Sequence, residues 1–259
     1  MAMKDIKIIV VTHKQYTMPQ DKNMYYPVQS GSAIYEDLGI QRDDEGENIS
    51  KKNPTYNELC PLYWAWKNLD SDYLGICHYR RLFSDSKKNG RTYNDILCRD
   101  TAEKILDEYD AILTPPKKYY GSSVEKHYVN SYAGYKEIHQ KDIEVLRNVL
   151  TDKYPAYIDS FNHVMASSCA HMLNMCIMKR VLYDKYLTFV YDVLGECEIR
   201  LKDRKDQGRY IAALSEFLLD TWINKNQIKY TELGLVELEH TPLPKRVIDV
   251  MKRKFKSRN

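Results

Sequence analysis

Two short apolar runs, Lys7-Ile-Ile-Val-Val-Thr-His13 and Asp72-Tyr-Leu-Gly-Ile-Cys77, constrain this chain more than any other feature. Neither alternates apolar with polar side chains, so each reads as a strand buried on both faces. Strands of that kind need helices above and below the sheet, and the rest of the chain supplies them. Leu59, Leu62, Tyr63, Trp66 and Leu69 recur at helical spacing over Asn57 to Asn68. Ala102, Ile105, Leu106 and Tyr109 do the same over Thr101 to Tyr109, with Thr101 as a candidate cap. Ile143, Leu146, Val149 and Leu150 mark Lys141 to Leu150, and helices are expected over Val181 to Leu201 and Tyr210 to Asn224. Ala111-Ile-Leu-Thr114, stopped by Pro115 and Pro116, and Asn174-Met-Cys-Ile-Met178 add short strands. Strands alternating with helices predict an α/β architecture.

The second run is expected to continue without a turn into His78, Tyr79, Arg80 and Arg81. Arginine is rarely buried without a partner. Its planar fork suits phosphate or carboxylate, and ligands of open α/β sheets sit at the carboxyl ends of strands. Place and chemistry together predict an anion site there, with a sugar-nucleotide diphosphate as the candidate ligand. His13 and Lys14 end the first strand at the same sheet edge and are candidate donor-binding residues. Because neighbours in an extended segment point oppositely, one arginine is free to pair with a structural carboxylate instead.

At 259 residues the chain can bury one sizeable core. No apolar run approaches the roughly 18–20 residues that span a bilayer. Met1-Ala-Met-Lys-Asp-Ile6 lacks the layout of a signal peptide, so a cytoplasmic location is expected. The cysteines show no Cys-x-x-Cys pairing, which favours reduced, mostly buried thiols over zinc or redox chemistry. Tyrosine is in excess, at 22 residues, and gives flat contact surface suited to sugars, a core or an interface. Five of these tyrosines fall in Lys117 to Tyr135, which reads as an irregular region covering a pocket.

Basic charge gathers at the end: from Lys245 to Asn259 there are seven basic residues against a single acid, Asp249. With Val247, Ile248, Met251 and Phe255 at helical spacing, this is the pattern of a basic amphipathic helix on an anionic membrane surface, or of a solvated terminus. Charge confined to one end does not indicate nucleic-acid binding. The chain therefore divides into a domain over residues 1–240 and a tail over 241–259.

Thr12-His-Lys14, Asn48-Ile-Ser50, Asn53, Asn57-Glu58, Tyr63-Trp-Ala-Trp-Lys-Asn68, His78-Tyr-Arg-Arg81 and Asn174-Met175 fall in an order that resembles bacterial DUF4422 proteins. That family is associated with capsular polysaccharide, exopolysaccharide and O-antigen synthesis. The resemblance spans roughly Lys7 to Ile223. It implies a GT-A-like α/β fold with a helical C-terminal region, and an inverting glycosyltransferase resembling enzymes that use UDP-galactofuranose. The implied partners are a UDP-sugar donor and a lipid-linked glycan acceptor.

Many GT-A enzymes hold a divalent ion with Asp-x-Asp after a central strand. The one literal match here, Asp70-Ser-Asp72, precedes the strand and reads as a turn. Basic side chains at His78 to Arg81 are therefore expected to take the cation's task, without a metal or other cofactor. His78 either contacts the donor or is a structural histidine. Glu58 binds a sugar hydroxyl or favours a helix N-terminus. Trp64 and Trp66 face opposite sides of a helix, so one belongs to the core and the other is a candidate sugar platform. His171 and Asn174 are candidate pocket residues. For the base, Glu216 stands among apolar residues and resembles the family's Glu-bearing segment, with Arg209 as a partner; Glu198 is the competitor.

Overall fold

The computed structural model describes residues 4–131, 138–205 and 208–238. The first part of the chain gives β1 (Ile6–Thr12), β2 (Tyr25–Gln29), β3 (Gln41–Arg42), α1 (Asn53–Tyr56), α2 (Leu59–Asn68), β4 (Tyr73–His78) and β5 (Arg81–Phe83). The middle gives α3 (Arg99–Glu108), β6 (Ala111–Leu113), β7 (Lys117–Lys118), α4 (Val124–Ser131), α5 (Gln140–Lys153) and α6 (Ile158–Ala166). Then come β8 (Cys169–Ala170), β9 (Cys176–Lys179), α7 (Arg180–Arg200), α8 (Tyr210–Ser215), α9 (Leu218–Asn226), β10 (Tyr230–Glu232) and β11 (Leu235–Glu237).

The main sheet runs β10-β6-β9-β4-β1-β2-β3, and the expected first and second apolar runs, β1 and β4, lie side by side and parallel at its centre. Both are buried on both faces. Ile9 and Val11 of β1 pack into a core with α2, α5, α7 and α8, while Ile6, Ile8 and Val10 face the other way, toward Leu97, Ala102 and Leu106. β9 runs antiparallel between β4 and β6, so β4 and β6 point the same way and end at the same edge. The contact of β4 with β9 is close: a Cβ at Gly75 would lie 2.8 Å from Ile177 Cγ1 and 3.1 Å from the Cys176 carbonyl oxygen. Only glycine fits there without moving β9.

Two expected elements are broken and a third starts late, each at a point that matters. The strand ending in two arginines turns: Tyr79 and Arg80 form the tip of a tight hairpin, with His78 paired to Arg81 across it. The helix expected from Asn57 is present as α2 but starts two residues later, because Asn57 has a φ of 45° and separates it from α1. The helix expected over Tyr210 to Asn224 ends α8 at Ser215 and restarts at Leu218, leaving Glu216 in the gap. The tyrosine-rich stretch is more regular than expected, with the short ribbon β7–β8 and then α4. The tail over 241–259 and residues 132–137 of that stretch lie outside the described residues.

Asp70-Ser71-Asp72 leads into the amino end of β4, where Asp72 Oδ2 accepts the Asp5 amide at 2.9 Å. It sits at the sheet edge opposite His78, as a turn. Cys60, Cys77, Cys176 and Cys197 are buried, Cys98 and Cys169 are exposed, and all six are free thiols.

Candidate active site at the strand ends

The carboxyl ends of β1 and β4 meet around one buried ring. Tyr79 is flanked by His13, edge-on at 5.3 Å between centroids, with Lys14 Nζ 4.9 Å and the Arg80 guanidinium carbon 5.8 Å from its centre. His13, Lys14 and Arg80 are exposed, so the buried phenol gathers cationic side chains at the surface of the strand ends. Arg81 takes the other direction, with Nε 3.4 Å from Glu237 Oε1 on β11. The two arginines thus divide, Arg80 at the hairpin tip beside Tyr79 and Arg81 at the start of β5 toward Glu237.

Behind the hairpin lies a second, more enclosed group. His78 Nε2 is 3.0 Å from the Leu173 carbonyl oxygen, so this nitrogen carries the hydrogen. Burial pushes the His78 pKa down against the charge of Glu58, and Arg81 and Arg80 push it further in the same direction. A neutral ring with Nε2 donating leaves Nδ1 as an acceptor, which suits a hydroxyl rather than a phosphate oxygen. Glu58 is buried, its Oε1 accepting from Asn174 Nδ2 at 3.0 Å and its Oε2 accepting from the side-chain Nδ2 of Asn57. Asn174 also donates to Ser215 Oγ at 2.9 Å, which ties this group to the end of α8.

Glu216 follows Ser215. Its half-buried carboxylate accepts the hydroxyl of Tyr128 from α4. Burial pushes its pKa up to about 7; the Tyr128 hydrogen bond opposes this, the charge of Glu58 adds to it, and Lys117 and Arg209 oppose it. Lys117 lies just past the carboxyl end of β6 and faces both Glu216 and Arg81; burial lowers its pKa, and Glu216 works against that. A carboxylate that titrates near neutrality among cations is suited to proton transfer.

Residues 7–227 match the family model DUF4422, a domain of unknown function. The chain belongs to the DUF4422 family. No curated protein matches it in sequence. Among solved structures it is similar to the bifunctional glycosyltransferase WbbM in its apo form, with a TM-score of 0.79, 24% identity, and 92% of this chain and 47% of that one covered. This DUF4422 chain therefore spans about half the length of the WbbM chain, and at that identity the likeness shows the fold, which is GT-A-like. Glucosyl-3-phosphoglycerate synthase from Mycobacterium tuberculosis, in complex with Mg2+ and uridine diphosphate, is 11% identical over 96% of this chain and 79% of that one. Its TM-score is 0.35, too low for any inference to pass between the two. Among the described residues no helix is long and apolar enough to cross a membrane.

Several polar residues ahead of Asn57 build the frame rather than the site. Asp43 is fully buried and accepts the Gly31 and Ser32 amides, each at 2.8 Å, and the Ser50 hydroxyl at 2.6 Å. Asn53 Nδ2 reaches Ser30 Oγ at 2.7 Å. These bonds fix the loop after β2 and so the approach to Asn57 and Glu58.

Four expected site residues are placed elsewhere. Trp64 is buried and stacked on Tyr26 with centroids 6.2 Å apart. Trp66 stacks on Tyr191 at 5.6 Å and donates Nε1 to Asp184 at 3.1 Å. Neither is a sugar platform: the helix needed large apolar bodies on both sides, one for the sheet and one for α7. His171 is also buried, held between Asp220 and Glu232, and so does not line a pocket by its own ring. Glu198 accepts Lys52 Nζ at 2.6 Å and the Tyr56 hydroxyl at 3.0 Å, an ion pair with different partners from those of Glu216.

Sequence reasoning missed Lys117 and Tyr128. Lys117 carried the same signal as Arg80, a cation just after an apolar strand, but the intervening Pro115 and Pro116 hid it. Tyr128 carried none, because α4 lies in a stretch that resembles a loop in composition.

Proposed function

We propose that this protein is an inverting glycosyltransferase that moves a hexose from a UDP-sugar to a lipid-linked glycan acceptor. The observation that carries the reading is Glu216: a carboxylate in the gap between α8 and α9, bonded to Tyr128, whose pKa burial pushes up to about 7 against the charges of Lys117 and Arg209. In the proposed reaction Glu216 takes the proton of an acceptor hydroxyl, whose oxygen attacks the anomeric carbon from the face opposite the diphosphate. The carbon–oxygen bond to UDP breaks, and the departing charge is stabilised by Arg80, Arg81 and Lys117. His13, Lys14 and Tyr79 receive the nucleotide end. Neutral His78 and Glu58 accept hydrogen bonds from hydroxyls of the transferred sugar, and Asn174 holds Glu58.

In this reading no divalent ion is needed, because the side chains gathered at the strand ends are basic where a metal-dependent site presents acids. Galactofuranose is the proposed sugar, on the family resemblance; UDP-galactopyranose or UDP-glucose changes the donor without changing the class. A capsular, exopolysaccharide or O-antigen glycan built at the inner face of the cell membrane is the proposed product, with the basic segment within 241–259 resting on anionic lipid. Deleting residues 243–259 should then abolish sedimentation with anionic vesicles; undiminished binding would remove the tail from the account.

A binding or assembly subunit without turnover is the second reading. Uridine diphosphate release on mixing UDP-galactofuranose with a lipid-linked acceptor separates the two. Release that is dependent on Glu216 supports the enzyme; binding of both ligands without release supports the subunit.

A further inference from the structure

His171 makes no direct approach to the strand-end cations, yet its bonds bear on every residue of the enclosed group. It opens the segment His171-Met172-Leu173-Asn174 between β8 and β9, and that segment contains two consecutive left-handed residues, Leu173 at φ 77° and Asn174 at φ 55°. A leucine in that conformation is costly without surrounding contacts to hold it.

Those contacts are on both sides. At one end the His171 amide donates to Asp220 Oδ2 at 2.8 Å and the ring Nδ1 lies 2.6 Å from Asp220 Oδ1. Ring Nε2 lies 3.3 Å from Glu232 Oε1 on β10, and the Tyr230 ring stands edge-on at 5.4 Å. Both ring nitrogens therefore face carboxylates, the arrangement of a protonated imidazole donating twice. Burial lowers the His171 pKa, but Asp220 and then Glu232 more than offset it, so the net shift is upward.

At the other end the strained pair does the positioning. The Leu173 carbonyl accepts His78 Nε2, and the Asn174 side chain holds Glu58 Oε1 and Ser215 Oγ. Ser215 closes α8 and Asp220 lies in the first turn of α9, so the segment grips the chain on each side of Glu216.

We propose that His171 is a positioning residue: through Asp220 and the left-handed Leu173–Asn174 pair it braces the helix gap and fixes Glu216, Glu58 and His78 relative to one another. This rests on the reading of Glu216 as the base. A histidine that merely fills its site would contribute to folding stability alone. A brace would in addition set the titration of Glu216, because the distance between Glu58 and Glu216 is part of what raises it.

The test compares wild type with His171→Gln, with the milder Glu232→Gln as a second variant should the first fail to fold. The carboxyl resonance of Glu216 is titrated by NMR, alongside kcat and donor KM. The expected result for His171→Gln is a Glu216 midpoint displaced by half a pH unit or more, and kcat down tenfold or more with donor KM within threefold. Glu232→Gln should displace the midpoint in the same direction by less. An unchanged midpoint in a folded variant overturns the brace, as does a kcat that falls only with the folded fraction. Absence of turnover in wild type defeats the enzymatic reading instead, and the NMR midpoint still decides the brace.

Discussion

The phenol of Tyr128 donates its hydrogen to the carboxylate of Glu216, joining α4 to the gap after α8 across 88 residues of chain. That bond favours the charged carboxylate, while burial favours the neutral acid. Tyr128→Phe should therefore raise the Glu216 midpoint above its present value of about 7. In a pH series of kcat, the acidic limb should move to higher pH while the rate at its plateau changes little. A limb that moves to lower pH, or stays put, would contradict the coupling.

Stability should follow the same group with a definite sign. The folded midpoint of about 7 lies above the ordinary value of 4.5, so the folded chain keeps a proton that the unfolded chain has released. Stability then falls as pH rises through that window, and the full cost is present above about 7. Glu216→Gln should raise the melting temperature at pH 8 and leave it nearly unchanged at pH 4. Thermal unfolding at the two pH values checks this.

The strand-end cations should act on the diphosphate rather than on the nucleoside. Lys117→Ala and Arg81→Ala should each weaken uridine diphosphate binding by about tenfold or more, as for a hydrogen bond to a charged group. Uridine binding should stay within about twofold, since neither residue reaches the Tyr79 cluster. Titration calorimetry with the two ligands separates these outcomes.

The aromatic helix makes the opposite prediction. Trp64→Phe should cost roughly 1–3 kcal/mol of stability, as core truncations do, and leave uridine diphosphate affinity unchanged. A variant of normal stability that loses donor affinity would return this tryptophan to the site.

What could be read from residues alone divides along physical lines. Ile6 to Thr12 and Tyr73 to His78 were legible because burial on both faces leaves an uninterrupted apolar run, and their carboxyl ends located His13, Lys14 and Arg80. The breaks were not legible. Tyr79 and Glu216 sit inside stretches whose pattern continues past them, and tertiary bonds such as that from Asn174 to Ser215 decide where the helix stops. Trp64 and Trp66 misled for a related reason: an aromatic side chain has the same signature whether it stacks on a sugar or on Tyr26 and Tyr191.

The central claim is that Glu216 activates the acceptor while basic side chains stabilise the leaving diphosphate. Uridine diphosphate release from UDP-galactofuranose and a lipid-linked acceptor, followed in EDTA from pH 5 to pH 9, tests it most directly. The account predicts release that rises through a midpoint near 7 and levels off, and a fall of about 10²- to 10⁴-fold in Glu216→Gln. Release that Glu216→Gln leaves intact, or that EDTA abolishes and manganese restores, would contradict it.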